Sequence, residues 1–243
     1  MKNSIENNLK QWDQDYLWLD AGDEWNGQAD YCGKDYPDWK NSLIQTLIKP
    51  YLSNDKTVLE IAPGQGRWSN EMADHCKKLI LVDLSPTCID TCKARFSTKS
   101  NIEYIVNNGK KLDGVEDESV DFIWSFDSFV HMDKAVISSY FAEFKRVLKP
   151  GGVAIIHHAN RNKWFLWLGF TRHWGEMGKQ FYKLISMRRI KDHDGWRSNI
   201  SSYAIKKLAV SNKLRILGQI QYWDDDLEFG VPRFNDCISE ISK

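Results

Sequence analysis

Between residues 57 and 159 five short apolar runs recur: TVLEIA, KLILVDL, NIEYIV, SVDFIWSF and VAIIHH. Each has the length and the β-branched or aromatic content of a strand. Three helix-like segments lie among them. Asn70 to Lys77 is the first, and Pro86 to Phe96 the second, with Ser85 placed as its N-cap and Pro86 at the first helical position. The third, Ala135 to Leu148, carries an apolar stripe at Val136, Tyr140, Phe144 and Val147 and is stopped by Pro150-Gly151-Gly152. This alternation predicts an α/β chain with a mostly parallel sheet covered by helices on both faces. From Ser201 on, the pattern adds one helix, a strand around Arg215 to Trp223 and a weaker final run, NDCISEIS.

A length of 243 residues suits one domain, or one with a sizeable insertion. Formal net charge is zero, so the whole molecule has no electrostatic pull toward nucleic acid or membrane. No stretch reaches the roughly 18 consecutive apolar residues of a membrane span. The opening residues, MKNSIENNLKQW, lack the apolar core of a signal peptide. Five cysteines, odd in number and without a CxxC pair, suggest neither a disulfide framework nor a zinc site. They fit reduced thiols in a cytoplasmic protein.

The first strand runs into LEIAPGQGRWS, Leu59 to Ser69, where Glu60 precedes two glycines, Gly64 and Gly66, at a strand-to-helix junction. Glycines there let the backbone approach a ligand closely, at the carboxyl end of the strands. A dinucleotide turn requires G-x-G-x-x-G with a pyrophosphate on the helix N-terminus. Here Ala62 or Pro63 takes the first glycine position, the third is absent, and Glu60 would repel a pyrophosphate. A ligand bearing an ammonium and a sulfonium suits that carboxylate better. Asp83 ends the second strand, 23 residues after Glu60, where a carboxylate can accept bonds from both ribose hydroxyls.

LEIAPGQGRWS, LVDLSPTCI, IVNNGKKL, VDFIWSFDSFVH and RVLKPGG, in that order and spacing, resemble the motif series of class I S-adenosylmethionine-dependent methyltransferases over roughly residues 55 to 160. The resemblance implies a Rossmann-like seven-stranded sheet whose last strand is antiparallel, with S-adenosylmethionine as cofactor. It places Glu60, Ala62, Gly64 and Gly66 along the methionine part, Asp83 on the ribose and Leu84 against the adenine. Asn108 with Gly109 falls where many members hold the adenine amino group through an Asp, and Ser125 joins the cofactor set from the fourth strand. One methyltransferase domain then spans 1–243: an aromatic helical segment at 1–50, the cofactor core at 55–160, an insertion at 161–198 and a terminal helix and strands at 199–243.

Methyl transfer is an in-line displacement, and alignment alone can supply much of the acceleration. An amine or thiolate acceptor needs little more, whereas an alcohol needs a base or a metal to take its proton. The candidate catalytic residues are Asp127 and His131 after the fourth strand, and His157 and His158 at the end of the fifth. Strand alternation sends the last two to opposite faces, so one of them is expected at the pocket. Asp127 could orient a His or help bind a divalent metal. No spacing is diagnostic of a metal, so a metal-free site is expected.

Residues 1 to 40 carry nine acidic and four basic residues, whereas 161 to 197 carry nine basic and three acidic. The basic segment, with its WFLWLGF aromatics, reads as a helical lid over the pocket; a membrane- or partner-binding amphipathic helix is the alternative. GDEWN (Gly22 to Asn26), EIAPGQGRW, SFDSFVH, IIHHAN and DGWR (Asp194 to Arg197) resemble a subgroup associated with bacterial sugar and capsular polysaccharide biosynthesis. That resemblance implies O-methylation of a small phosphorylated or sugar-nucleotide-type acceptor; the basic insertion fits an anionic one, while the zero net charge and the lack of a long apolar run argue against nucleic acid and membrane insertion. Trp25, Arg188, Arg189 and Arg197 are the candidate acceptor contacts, the arginines either holding phosphate or pairing with the acidic N-terminus. Competing readings are N- or carboxyl-methylation of a small metabolite; RNA or DNA methylation, against which stand the zero net charge and the lack of an appended nucleic-acid module; and a protein that binds S-adenosylmethionine without transferring methyl.

Overall fold

The structure is a computed structural model and describes all residues except 1, 2, 21 and 162–196. Most of the basic insertion, with Arg188 and Arg189, lies outside the described residues. In chain order the main elements are α1 (Ile5–Leu9), α2 (Gly27–Cys32), α3 (Tyr36–Leu43), β1 (Thr57–Ile61), α4 (Ser69–Ala73), β2 (Lys78–Asp83), α5 (Pro86–Arg95), β3 (Ile102–Val106), β4 (Val120–Ser125), α6 (Lys134–Val147), β5 (Leu148–Ala159), α7 (Ser202–Ser211), β6 (Arg215–Ile220) and β7 (Asp236–Ser242). The seven strands form one sheet in the order β3-β2-β1-β4-β5-β7-β6. β7 runs antiparallel to both its neighbours and the rest are parallel.

Strand periodicity sorts the core into two layers. Leu59, Ile61, Ile80, Val82, Ile123 and Ile156 face α6 and α7, meeting Phe141, Phe144, Ile205 and Leu208. Val58, Leu79, Leu81, Phe122, Trp124 and Ile155 face the other way, against Trp39, Leu43, Met72, Ile89 and Cys92 of α3, α4 and α5. Because both sets are apolar, β1, β2 and β4 read as near-continuous hydrophobic runs, interrupted inside the strands only by Glu60 and Asp121, as buried parallel strands do. The helix starts are capped as their side chains dictate. Ser85 Oγ accepts from the Cys88 N–H at 3.0 Å, Asp133 Oδ1 from the Val136 N–H at 2.9 Å, and Ser201 Oγ from the Ala204 N–H at 3.3 Å.

Three elements differ from the sequence expectation. The helix expected to Lys77 ends at Ala73, because Asn101 Nδ2 donates to the carbonyls of Ala73 (2.8 Å) and Cys76 (3.1 Å) and the Lys77 N–H already bonds the Lys56 carbonyl. β5 starts at Leu148 rather than Val153: Leu148 pairs with Val120, and the register shift before Phe122 absorbs Pro150-Gly151, with Gly151 at φ 79°. β6 stops at Ile220. The following loop closes on Asp224, whose carboxylate accepts the N–H groups of Glu228 (3.0 Å) and Phe229 (2.7 Å). All five cysteine thiols are free. Among the described residues no helix is long and apolar enough to cross a membrane.

Candidate active site

β1 and β4 are neighbours although β2 and β3 lie between them in the chain, so helices leave the sheet in opposite directions there and a crevice opens at the strand ends. The chain leaves β1 through Ala62 (φ 56°), Gly64 (φ 56°) and Gly66 (φ 88°), all left-handed. At Gly64 a Cβ would lie 2.5 Å from the Trp18 ring, and at Gly66 2.7 Å from the Phe96 ring. Both positions therefore need glycine for conformation and for space. Gly66 serves packing against α5, while Ala62 and Gly64 line a cleft of about 950 Å³, its open mouth included. Asp83, Leu84 and Gly109 complete the wall, and Ile5, Trp12, Trp18 and Trp25 roof it from the N-terminal segment.

Asp83 Oδ2 accepts from the Gly64 N–H at 3.1 Å and Oδ1 from the Ser85 N–H at 2.9 Å. Burial raises its carboxyl to about 6 despite those two donors. A carboxylate has roughly four acceptor positions, so Asp83 keeps capacity for a diol in the cleft. Glu60 is placed differently. It is buried beneath the turn, takes the Ser69 hydroxyl at 2.5 Å, and does not line the cleft. Burial, with the nearby Asp83 carboxylate adding to it, pushes Glu60 up to about 8, so at neutral pH it is a neutral acid rather than a counter-charge. Ser125 is also below the floor, its hydroxyl donating to the Ile61 carbonyl at 2.8 Å. Asn108 is exposed, and its side-chain oxygen caps the Lys110 and Lys111 N–H groups at 3.0 Å. Asn107 turns inward instead, donating to the hydroxyl of Tyr140, which lines the cleft.

Neither His157 nor His158 lines the cleft, and both are fully buried. His158 donates through Nδ1 to the Ala159 carbonyl at 2.8 Å, which leaves Nε2 to accept the Ser239 hydroxyl at 2.6 Å. Burial, reinforced by His157, depresses it to about 4, so it is a neutral structural group between β5 and β7. His157 stacks on Phe126 and lies between two carboxylates, 3.2 Å from Asp127 and 3.2 Å from Asp236. Burial pulls its pKa down, but the two carboxylates together outweigh that and raise it.

Asp127 and His131 do reach the cleft. Asp127 sits at φ 58° and is held by Arg67 Nη1 at 3.1 Å as well as by His157. Burial would raise its carboxyl, but His157, Arg67 and Arg197 hold it far below the usual range. Arg67, with its side chain only 4% exposed, also bonds the Tyr36 hydroxyl (2.9 Å) and the Trp25 carbonyl (3.2 Å), tying the roof to the turn. His131 packs its ring 5.3 Å from that of Trp12, and its carbonyl accepts from Asn8 Nδ2 at 3.0 Å.

Trp12, Trp25, Asp127 and His131 line a second cavity too, of about 730 Å³ with its open mouth included, which continues toward Gly27, Gln28, Arg197, Arg233 and Phe234. Of the candidate acceptor contacts, Trp25 and Arg197 come together here. Arg197 is bound to Asp236 at 2.6 Å rather than to the acidic N-terminus. Sequence reasoning passed over Arg67, Arg233 and Asp236. Arg67 sits inside the glycine motif itself, which was a usable signal; Asp236 opens a weak terminal run with nothing to mark it. Among the described residues no group of three His, Cys, Asp or Glu side chains could hold a metal ion.

Residues 58–152 match a family model described as a methyltransferase domain. A protein of Methanosarcina acetivorans named "Probable ribosomal RNA small subunit methyltransferase A" is 33% identical over 78 residues, 32% of this chain and 29% of that one. Nodulation protein S of Rhizobium tropici is 24% identical over 126 residues, 50% of this chain and 51% of its own. The chain thus spans between 29% and 51% of the length of these curated relatives. Geranyl diphosphate C-methyltransferase from Streptomyces coelicolor A3(2), solved with Mg2+, geranyl diphosphate and S-adenosyl-L-homocysteine, shares the fold. Its TM-score is 0.62 at 13% identity, covering 98% of this chain and 97% of that one. The spare acceptor capacity of Asp83 in the cleft suits a vicinal diol such as that of a ribose.

Proposed function

We propose that the protein is an S-adenosylmethionine-dependent methyltransferase that O-methylates a small phosphorylated or sugar-nucleotide-type acceptor, of the kind used in surface-polysaccharide biosynthesis. The reading is carried by the meeting of two cavities at Trp12, Trp25, Asp127 and His131. Asp83 and the Ala62–Gly64 turn would hold S-adenosylmethionine, which would supply an electrophilic methyl group. The acceptor enters from the second cavity. His131 is the one imidazole on both cavities among the described residues, and it takes the proton of the acceptor hydroxyl. Asp127, kept ionised and immobile by Arg67 and His157, orients the acceptor by accepting a hydrogen bond. The aromatic roof excludes water from the junction.

A second reading is an amine acceptor, favoured by the ionised Asp127 on both cavities, which suits an ammonium group. One assay decides between them. Methyl transfer from labelled S-adenosylmethionine is measured against sugar nucleotides, sugar phosphates, small amines and RNA, with wild type and His131→Gln. Transfer to a sugar phosphate or nucleotide that falls about 100-fold in His131→Gln is the expected result. Transfer to amines alone, indifferent to His131, establishes the second reading. Cofactor binding without transfer to any of them would remove the first.

A further inference from the structure

We infer that Arg233 and Arg197 form a phosphoryl-binding subsite at the far end of the second cavity, which holds the acceptor by its phosphate while its reacting atom reaches Asp127 and His131. The inference rests on the acceptor reading above and locates the anion on residues of this chain. Both guanidinium groups pack on one aromatic ring: the Arg197 Cζ lies 4.0 Å and the Arg233 Cζ 4.9 Å from the centre of Phe234. Two planar donor forks fixed on a shared platform match the oxygens of a phosphate.

The charges around them are unevenly satisfied. Arg197 is anchored by Asp236, which is fully buried and also takes Gln28 Nε2 at 3.3 Å. Arg233 has no carboxylate partner among the described residues; its backbone N–H, not its guanidinium, bonds Gln28 Oε1 at 3.0 Å. Two carboxylates line the same cavity, Glu24 and Asp127. Both are committed elsewhere. Glu24 accepts the N–H groups of Gly22 (2.7 Å), Asp20 (3.1 Å) and Leu19 (3.2 Å) with the Tyr16 hydroxyl (3.2 Å), and Asp127 pairs with Arg67 and His157. The half-buried guanidinium of Arg233 beside them thus has no carboxylate of this chain to satisfy it among the described residues, and an anion entering the far end of the cavity would.

Gly27 makes the position of Arg233 specific. A Cβ on Gly27 would lie 1.3 Å from Arg233 Nη1 and 2.6 Å from its Cζ, so the guanidinium occupies the space that any side chain at 27 would take. Gly27 opens α2 with an ordinary helical backbone, so its glycine is not required for conformation. Alanine there displaces the end of a flexible side chain and leaves the helix intact.

The test is calorimetric titration of pyrophosphate into the protein saturated with S-adenosylhomocysteine, for wild type, Arg233→Ala, Arg233→Lys and Gly27→Ala. S-adenosylhomocysteine affinity is measured on each. Wild type is expected to bind pyrophosphate at millimolar concentration or tighter. Arg233→Ala should weaken it about 10- to 100-fold, the contribution of a charge-assisted pair. Arg233→Lys should recover part of the loss, and Gly27→Ala should weaken binding without removing any charge. S-adenosylhomocysteine affinity should stay within about twofold throughout. Pyrophosphate binding that is absent in wild type at about 10 mM, or equal in wild type and Arg233→Ala, overturns the subsite and leaves the methyltransferase reading standing. Failure of wild type to bind S-adenosylhomocysteine removes that reading and the subsite with it.

Discussion

Asp83→Asn is the most informative single change. The carboxylate holds the Gly64 and Ser85 N–H groups at 3.1 and 2.9 Å and turns its remaining lone pairs into the cleft. Each ribose hydroxyl that donates to it makes a charge-assisted bond contributing roughly 1.5–3 kcal/mol. An amide can accept one of the two and loses the charge on both, so cofactor binding should weaken by about 2–4 kcal/mol. At 1.4 kcal/mol per tenfold this is roughly 30- to 1000-fold in Kd. A second signature is pH. Burial sets the Asp83 carboxyl at about 6, and the ionised form is the one that binds. Wild-type affinity for S-adenosylhomocysteine should therefore be level above pH 7 and fall toward tenfold per pH unit as pH drops below 6. The Asn variant should be weak and flat across that range. Calorimetry at pH 5, 6, 7 and 8, with a thermal unfolding curve for each protein, measures both. An Asn variant that folds and binds as wild type does, with the same pH slope, would refute the ribose assignment.

Two further outcomes follow from the buried groups. Glu60 is protonated when folded up to about pH 8, whereas the unfolded chain releases that proton above about 4.3, so its contribution to stability is lost as pH rises between those values. Glu60→Gln should match wild type near pH 4 and become the more stable protein as pH approaches 8; a urea-unfolding difference that does not grow with pH sinks the assignment. His158 carries the opposite sign of charge change. It stays neutral in the fold down to about pH 4, so stability falls as pH drops from about 6.5 toward 4, by roughly 3 kcal/mol from this group. His158→Gln should flatten that limb, cost about 1–3 kcal/mol at pH 7 through the Ser239 hydroxyl, and leave turnover per folded molecule unchanged. A selective loss of turnover would mean that His158 takes part in the chemistry.

The order of strands and helices from Thr57 to Ala159, the N-caps at Ser85 and the turn glycines were legible in the sequence, because period, capping and left-handed backbone are local properties. The same holds for Asp83, whose place at a strand end fixes where it emerges from the sheet. Side-chain direction was not legible. Glu60 and Asp83 both lie in the last residues of neighbouring strands, yet one turns beneath the turn toward Ser69 and the other into the cleft. His157 and His158 alternate as a strand requires, but β7 pairs alongside β5 at that point, and its side chains Asp236 and Ser239 meet the two buried rings instead of a ligand. Arg67, Asp127, His157, Arg197 and Asp236 are scattered from position 67 to 236 and share one charged assembly only because the antiparallel β7 brings the end of the chain back beside β5. What is near in the chain is settled by local geometry; which charges neutralise one another across that distance is settled by packing, and the candidate chemistry of this protein depends on the second.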